Sequence, residues 1–228
     1  MNAPVITAVL LDLDGTLVDT APDMGAALNE LLSDYDLSPV DYETYRSRVS
    51  HGAKGLIDLG FGTEFAEQNF TTLRHRFLQL YAQRLCRETR VFDGFLQVLD
   101  ILEARGVPWG IVTNKPAGLT EPLVEQLGLM KRATCVVSGD TCARAKPDPM
   151  SLLHAAEILQ RSPASCLYVG DAERDIQAAT AAGMRSLVAS YGYLDAADRP
   201  DAWRADGLVE SPGEILDWID AWHSRSRY

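Results

Sequence analysis

Two aspartates that stand one residue apart close an apolar stretch near the start of the chain. In a strand covering AVLLDLDGT (8–16), Asp12 and Asp14 would point to the same side, and Gly15 would permit a sharp turn. Two carboxylates held this close repel each other unless a cation or a shared proton compensates them, and Mg²⁺ suits oxygen ligands. The pair therefore predicts a metal-bound site in which one carboxylate acts as nucleophile and the other as general acid and base. We expect Asp12 and Asp14 in these two roles, in an order that the resemblance described below implies. Two acidic residues that cap a helix would be the structural alternative.

Further polar residues at or after apolar runs are candidates for the same chemistry. They are Thr113, Asn114, Lys146, Asp171 and Asp175. Some of them have a purely structural alternative, because Thr113 suits a strand end and Lys146 suits a solvated loop. Asp175 would also favour the first turn of a helix, where its charge complements the helix dipole.

Alternating apolar runs and helix-like segments indicate the elements that must position these residues. Apolar runs that end in polar residues lie at 8–14, 109–114, 135–140 and 166–171. Helical patterns lie at 118–127, 149–160, 173–182 and 212–222, with another that includes 99–104 and ends at Gly106. Strands that alternate with helices predict an α/β fold with a doubly wound parallel sheet. Ligands of such sheets bind beyond the carboxyl ends of the strands, where Asp12, Thr113 and Asp171 would lie.

The first interval in this pattern is too long for one crossover. Asp12 and Thr113 are 101 positions apart, whereas a whole βαβ unit needs only about 30 residues. The contents of residues 20–90 are predicted to be helical, and they form an inserted α-helical cap on a core made of 1–19 and 91–228. The helically spaced apolar residues of the last cap helix are expected to be its core. They are Leu73, Phe77, Leu80, Tyr81 and Leu85.

Composition excludes several classes of protein. The chain has 228 residues, 46% of them hydrophobic, and a formal net charge of -11, so its field repels nucleic acid and anionic lipid. The start of the chain shows neither a signal peptide nor a membrane span, so we expect a cytoplasmic protein without nucleic-acid or membrane partners. The four cysteines show no paired or zinc-like spacing and are expected to be free thiols. They are Cys86, Cys135, Cys142 and Cys166.

The motif DLDGTLVDT (12–20) resembles the signature of the haloacid dehalogenase superfamily, and the other motifs follow in the expected order. The resemblance implies that Thr113 and the amides near Asn114 hold phosphoryl oxygens, and that Lys146 balances charge on the nucleophile. It also implies that Asp171 is a metal ligand supported by Asp175. The expected ligands of Mg²⁺ are then Asp12, Asp14 and Asp171, and the expected intermediate is an aspartyl-phosphate on Asp12.

An aspartate at position 14 resembles the phosphatases of this superfamily rather than the dehalogenases, which lack it. A phosphomutase would also keep Asp14 and stays open as an alternative. The segments TNKP (113–116) and SYGY (190–193) resemble the phosphoglycolate phosphatase branch. Within it, YGYLDAADRPDAW (191–203) is similar to the N-acetylmuramate 6-phosphate phosphatases of bacterial cell-wall recycling. The expected substrate is therefore a small phosphorylated metabolite with a carboxylate.

The cap should supply a donor-rich loop for that carboxylate. The segment SHGAKG (50–55) is the candidate, since His51 or Lys54 could reach the carboxylate and Gly52 would allow close approach. Lys115, directly after Thr113 and Asn114, is a comparable candidate. An exposed, flexible loop lysine would be the alternative for Lys54.

Two non-enzymatic functions use similar parts. A signalling receiver domain also has an acidic pocket and a phosphoaccepting aspartate, but it would be about half this length without a cap. A catalytically silent binding module would not need Asp12, Asp14, Lys146 and Asp171 together. A cap that closes to exclude water during the reaction would need hinges, which are predicted near 19–23 and 88–94.

Overall fold

A six-stranded parallel sheet lies at the centre of the molecule. The computed structural model describes residues 5–225; residues 1–4 and 226–228, which the predicted core includes, lie outside that range. The strands are β1 (Ala8–Leu11), β2 (Val18–Asp19), β3 (Arg90–Val91), β4 (Trp109–Val112), β5 (Cys135–Val137), β6 (Cys166–Gly170), β7 (Arg185–Ala189) and β8 (Gly207–Val209). β2 and β3 form a separate antiparallel pair, and the others form the sheet in the order β5-β4-β1-β6-β7-β8. The four predicted strands are confirmed, and β7 and β8 were not predicted.

Helices connect the strands and fill the long first interval. They are α1 (Ala21–Ser33), α2 (Tyr42–Arg46), α3 (Gly52–Phe61), α4 (Thr63–Arg84), α5 (Phe95–Ala104), α6 (Ala117–Gln126), α7 (Met150–Ile158), α8 (Glu173–Ala182) and α9 (Glu214–Arg225). α8 has the predicted bounds because residues at both of its ends form capping interactions or turns that stop the helix. The carboxylate of Asp175 accepts the main-chain N–H of Ala172 at the start, and Gly183 adopts a left-handed conformation after the end.

The register of the sheet brings the polar strand ends together. β1 lies between β4 and β6, and Leu11 is aligned with Ile111 on one side and Val169 on the other. Since all three strands run in the same direction, the residues that follow them meet at one edge of the sheet. The predicted convergence of Asp12 and Asp171 at this edge is confirmed.

Alternation along β1 distributes its side chains between two apolar layers. Val9 and Leu11 belong to a cluster with side chains of α5, α6 and α9. Ala8 and Leu10 belong to a cluster on the opposite face with side chains of α7 and α8. A central strand buried on both faces, with helices covering each face, is the doubly wound α/β fold that the sequence predicts.

The helices α1 to α4, here called the cap helices, enclose an apolar cluster of their own. Four residues of the predicted stripe on α4 are at most 1% exposed, and the fifth, Leu85, is partly buried. Leu119 and Tyr193, from outside the cap helices, also belong to this cluster, so the cap helices pack against the rest of the chain. The division of the chain at 20–90 stays a prediction.

The segment at 50–55, which the sequence predicts to be a loop, is helical. Ser50 and His51 lie in a short 3-10 turn, Val49–His51, and the next four residues form the first turn of α3. Gly52 has a φ of 63°, which lets the chain change direction between the two helical segments. The helix forms because Leu56 and Ile57 are fully buried among the cap helices.

The cap helices join the sheet through two chain segments that lie side by side. β2 pairs with β3, with Val18 opposite Val91. The buried carboxylate of Asp23 accepts the main-chain N–H groups of Glu88 at 3.0 Å and Thr89 at 2.9 Å, and the Thr89 hydroxyl at 2.8 Å. The predicted hinges at 19–23 and 88–94 fall within this junction, and movement about them stays a prediction.

Two further expectations concern cysteines and membranes. All four cysteines are free, as predicted, and Cys135 and Cys166 are buried. Burial raises the pKa of each of these two thiols to about 11, so neither is a reactive thiolate at neutral pH. Within residues 5–225, no helix has the length and apolar character needed to cross a membrane.

Replacing Asp23 by Ala tests the junction. The change removes the acceptor of one buried and one partly buried main-chain N–H group, so we expect the free energy of unfolding to fall by about 3 kcal/mol. Urea denaturation followed by circular dichroism measures this difference. Glu121→Ala, at an exposed position of α6, is the control and should change the value little. Equal stabilities of the two variants would show that the Asp23 contacts do not hold the junction.

Candidate active site

Asp12 lies directly after β1 and is held by the sheet. Its main-chain N–H donates to the carbonyl of Val169 at 2.9 Å, and only 4% of the residue is exposed. Three residues later the chain turns at Gly15, which has a φ of 84°. A Cβ at this position would lie 2.1 Å from Oδ2 of Asp171 and 2.7 Å from Cδ2 of Tyr193. Glycine is therefore required here both for the backbone conformation and for the approach of Asp171.

Lys146 connects the acidic residues at the sheet edge. Its Nζ lies 2.8 Å from Oδ1 of Asp12 and 2.8 Å from Oδ1 of Asp175. It also contacts the carbonyl of Val112 at 2.9 Å and the hydroxyl of Tyr168 at 2.6 Å. Burial alone would lower the pKa of Lys146, but Asp12 and Asp175 hold it above the ordinary value. The ammonium group therefore remains charged in a buried position.

Asn114 supports Lys146 through hydrogen bonds to its main chain. The side-chain amide of Asn114 donates to the carbonyl of Lys146 at 2.8 Å and accepts its N–H at 3.0 Å. The side chain of Asn114 thus positions the lysine. The hydroxyl of Thr113 accepts the N–H of Lys115 at 3.1 Å, and Thr113 lines the cavity above Asp12. Its role in holding phosphoryl oxygens stays a prediction.

Three buried carboxylates form a cluster that could hold a metal ion. One oxygen from each of Asp12, Asp171 and Asp175 lies within 4.8 Å of the others. Asp175 already contacts Lys146 and the N–H of Ala172, which leaves Asp12 and Asp171 with less compensation. The donors are all carboxylate oxygens, which hard divalent cations prefer. The residues present therefore fit a hard divalent cation.

Two of these carboxylates, Asp12 and Asp171, have raised pKa values. Burial raises the pKa of Asp171 to about 7, and the charges of Asp12 and Asp175 act in the same direction. Burial also raises the pKa of Asp12 to about 6, because its effect exceeds the opposing attraction of Lys146. A cation at the cluster would favour the ionised form of both groups.

Asp14, which the sequence predicts as a metal ligand, keeps that role as a prediction. Its carboxylate is not part of the cluster found among residues 5–225. Instead, Nζ of Lys115 lies 2.8 Å from its Oδ1, and the hydroxyl of Thr20 donates to the same atom at 2.6 Å. Asp14 is turned toward a lysine because the strand ends after Leu11 and the chain turns before the alternation predicted for 8–14 is complete. This geometry suits an acid and base above Asp12 better than a carboxylate ligand.

Asp171 is held by residues that the sequence analysis did not select. Ser50, near the start of α3, donates its hydroxyl to Oδ2 of Asp171 at 2.7 Å, and the N–H of Tyr193 donates at 2.9 Å. The guanidinium of Arg174 donates to the carbonyl of Ser50. Ser50 and Arg174 both lie in segments that the sequence singled out, but they are 124 positions apart. Nothing in the local pattern shows that they meet.

The tyrosines of SYGY (190–193) form hydrogen bonds with the chain segment that follows Asp14. The hydroxyl of Tyr193 accepts the N–H groups of Thr20 at 2.6 Å and Ala21 at 2.9 Å, at the start of α1. The hydroxyl of Tyr191 donates to the carbonyl of Thr16 at 2.9 Å. This segment thus positions the first motif and the entry into the cap helices, which gives the sequence similarity a structural reason.

A cavity of about 850 Å³ lies between the sheet edge and the cap helices. Its floor includes Asp12, Asp14, Thr113, Asn114, Lys115, Lys146 and Arg174. Its roof includes Ser50, His51, Gly52, Lys54, Asp58, Leu59, Phe70, Arg74, Phe77, Leu78 and Tyr81. All four predicted substrate-binding residues therefore line the cavity, and their contact with a substrate stays a prediction.

Three of these four residues are less suited to bind an anion than their positions suggest. Nζ of Lys54 lies 2.6 Å from Oδ2 of Asp58, one helical turn away, so its charge is already paired. Burial lowers the pKa of His51, and Arg174 and Arg48 lower it too, so the imidazole is neutral at neutral pH. Lys115 is occupied by Asp14, and its Nζ lies 4.7 Å from the ring centroid of Tyr81.

The chain is similar to known proteins over most of its length. Residues 9–189 match the family model described as haloacid dehalogenase-like hydrolase. An N-acetylmuramic acid 6-phosphate phosphatase of Pseudomonas aeruginosa is 38% identical over 215 residues, which are 94% of this chain and 95% of that protein. A phosphoglycolate phosphatase of Xylella fastidiosa is 43% identical over 216 residues, which are 95% of this chain and 93% of that protein.

A solved structure agrees with this similarity. The crystal structure of a protein described as a predicted phosphoglycolate phosphatase from Haemophilus somnus 129PT has a TM-score of 0.83 at 25% identity. The match covers 93% of this chain and 97% of that chain. The resemblance predicted from the four sequence motifs is thereby confirmed.

The raised pKa values predict how a divalent cation should stabilise the protein. The pKa of Asp171 is about 7 in the folded state against an ordinary value of 3.8, so the metal-free protein loses stability as the pH rises between these values. A bound cation needs the ionised carboxylates and should reverse this loss. We expect added Mg²⁺ to raise the melting temperature more at about pH 8 than at about pH 5. Thermal unfolding followed by circular dichroism gives the two shifts.

Asp171→Asn provides the control for this measurement. It keeps the size of the side chain, removes its charge, and should nearly abolish the shift caused by Mg²⁺ at the higher pH. A shift of the same size at both pH values, or an undiminished shift in the variant, would contradict a metal site at this cluster.

Proposed function

This chain belongs to the haloacid dehalogenase-like hydrolase family, and on that premise we propose that it is a Mg²⁺-dependent phosphomonoesterase that uses Asp12 as its nucleophile. The observation that carries the proposal is the buried Asp12 carboxylate, which contacts Lys146 and lines the cavity beside two more carboxylates. A nucleophile, a fixed cation and an acidic metal site at one point suit the transfer of a charged phosphoryl group.

The metal would be held by Asp12 and Asp171, with Asp175 supporting them from its contact with Lys146. When bound, Mg²⁺ neutralises charge between the carboxylate of Asp12 and the oxygens of the phosphoryl group, so that the two anions can approach. Asp14 stays a predicted ligand, and its carboxylate, which is paired with Lys115, is assigned to proton transfer.

In the first step, a carboxylate oxygen of Asp12 attacks phosphorus, and the bond from phosphorus to the leaving oxygen breaks. Lys146 offsets the negative charge at Asp12 throughout, since Asp175, Tyr168 and Val112 hold its ammonium group in place. The hydroxyl of Thr113, which follows β4 and lines the cavity, would bind a phosphoryl oxygen. The product of this step is an aspartyl-phosphate on Asp12 and a free alcohol.

Asp14 supplies the proton that the leaving oxygen needs. It lies on the cavity floor two residues after Asp12, and Lys115 and Thr20 fix its orientation. After the alcohol leaves, the same carboxylate accepts a proton from water, which attacks phosphorus and releases phosphate. The two steps together restore Asp12 and Asp14 to their starting states.

The cavity favours a substrate larger than 2-phosphoglycolate. Cavities of roughly 300–1,000 Å³ hold drug-sized ligands, and the volume here, about 850 Å³, lies in the upper part of that range. A two-carbon acid would leave most of this space to water, which weakens the electrostatic interactions on which the reaction depends. We therefore propose a carboxylate-bearing sugar phosphate, and N-acetylmuramate 6-phosphate in particular, ahead of 2-phosphoglycolate.

Phosphate release in the presence of Mg²⁺ tests this function. The panel contains N-acetylmuramate 6-phosphate, 2-phosphoglycolate and p-nitrophenyl phosphate. We expect turnover of the sugar phosphate with the highest kcat/KM. In Asp12→Asn the rate should fall by at least about 10³-fold with every substrate, because the nucleophile is lost. Asp217→Asn makes the same chemical change at an exposed position of α9 and should retain full activity. Turnover by Asp12→Asn would refute the proposed mechanism.

Asp14→Asn tests the assignment of acid and base. We expect turnover to fall by about 10²–10⁴-fold for a sugar phosphate, whose alkoxide is a poor leaving group. The loss should be smaller when p-nitrophenyl phosphate is the substrate and formation of the intermediate limits the rate, since p-nitrophenolate leaves without a proton. Single-turnover kinetics with the two substrates separate this step from hydrolysis of the intermediate. Equal losses of the first step for both leaving groups would contradict the role of Asp14 as the acid.

A further inference from the structure

One basic side chain on the cavity wall differs from the others in having no partner among the residues that the structure describes. Arg74, on α4, forms no ion pair or hydrogen bond with any residue in the described range 5–225, although it lines the cavity. Arg76, two residues later on another face of the helix, pairs with Asp34 at 2.8 Å. The net charge of the chain is -11, so acidic partners are abundant. Arg74 is exposed at the edge of the cavity, and among the lining cations of the described range it is the exception in having no partner.

The other cations that line the cavity are already engaged. Arg48 pairs with Asp195, Lys54 with Asp58, Lys115 with Asp14, and Lys146 with Asp12, while Arg174 binds the carbonyl of Ser50. Four of these interactions are ion pairs with N to O distances of 2.6 to 3.1 Å. A second anionic group of a ligand, distant from the phosphate, would find its free positive charge at Arg74.

The side chains around Arg74 indicate the chemical character of the rest of such a ligand. Phe70 and Leu78 lie one helical turn on either side of it, and both line the same cavity. Tyr81, two turns further along α4, lies against Lys115 at the catalytic end. Since a helix rises about 1.5 Å per residue, Arg74 starts about 10 Å from Tyr81 along the axis. The wall thus presents a cation between apolar side chains, at a distance from the reacting group.

We propose that Arg74 binds the carboxylate of the substrate and so selects sugar phosphates with an acidic side group over their neutral counterparts. The inference rests on the proposed phosphatase function and assigns the specificity of that same site. A guanidinium group presents a planar fork of donors that matches a carboxylate in a bidentate arrangement. The apolar neighbours Phe70 and Leu78 suit the less polar parts of a substituted sugar. This assignment replaces the predicted carboxylate contacts of Lys54 and His51.

The experiment compares two substrates that differ in the acidic group. N-Acetylmuramate 6-phosphate carries a lactyl carboxylate, and N-acetylglucosamine 6-phosphate has the same sugar and phosphate without it. The readout is the ratio of kcat/KM for the acidic substrate to that for the neutral one. We expect Arg74→Gln to lower this ratio by about 10- to 100-fold, mainly through KM for the acidic substrate. Arg74→Lys, which keeps the charge but loses the fork, should restore part of it.

Arg76→Gln is the matched control, because it removes the same charge from the same helix outside the cavity. It should leave the ratio unchanged. An unchanged ratio in Arg74→Gln, or an equal fall in both variants, would overturn the proposal. So would a wild-type protein that hydrolyses p-nitrophenyl phosphate with Mg²⁺ but does not prefer the acidic sugar phosphate. The absence of any Mg²⁺-dependent phosphate release from the wild type would instead refute the phosphatase function itself.

Discussion

The contact of the Lys146 ammonium group with Asp12 and Asp175 is the interaction on which the site depends. Three carboxylates lie together at the sheet edge, and without a cation their mutual repulsion would favour protonation. Lys146 compensates two of them at 2.8 Å each, and Asn114 fixes its main chain. Burial, together with the charges of Asp12 and Asp175, raises the pKa of Asp171, and a divalent cation would compensate these charges. The lysine thus keeps Asp12 largely ionised and leaves room for the metal.

The fold supplies this arrangement through the position of β1 between β4 and β6, which places three strand ends at one edge. The cap helices then connect to the same point, because the Ser50 hydroxyl binds Asp171 and Arg174 binds the Ser50 carbonyl. The roof of the cavity is therefore linked directly to a carboxylate of the acidic cluster.

The sequence predicted the sheet, the strand ends and the motif residues, because each of them rests on a local pattern of apolar runs or on residues within a few positions. The partners of Asp14 and Asp171 could not be predicted in this way, since Lys115 and Ser50 lie 101 and 121 positions away. The segment 50–55 was predicted as a loop because it contains two glycines, which are unfavourable in helices. The burial of Leu56 and Ile57, which stabilises the helix, is not evident from the local sequence. The helix could have been recognised from Lys54 and Asp58, because they have the i, i+4 spacing of a helical ion pair.

Direct detection of the covalent intermediate is the closest test of the central claim that Asp12 is the nucleophile. The protein would be mixed with Mg²⁺ and N-acetylmuramate 6-phosphate, or with p-nitrophenyl phosphate, quenched in acid during turnover, digested and examined by mass spectrometry. The account predicts a peptide that carries one added phosphoryl group at Asp12, and no such peptide from Asp12→Asn. Turnover without a phosphorylated Asp12 peptide, or phosphorylation of a different residue, would contradict it.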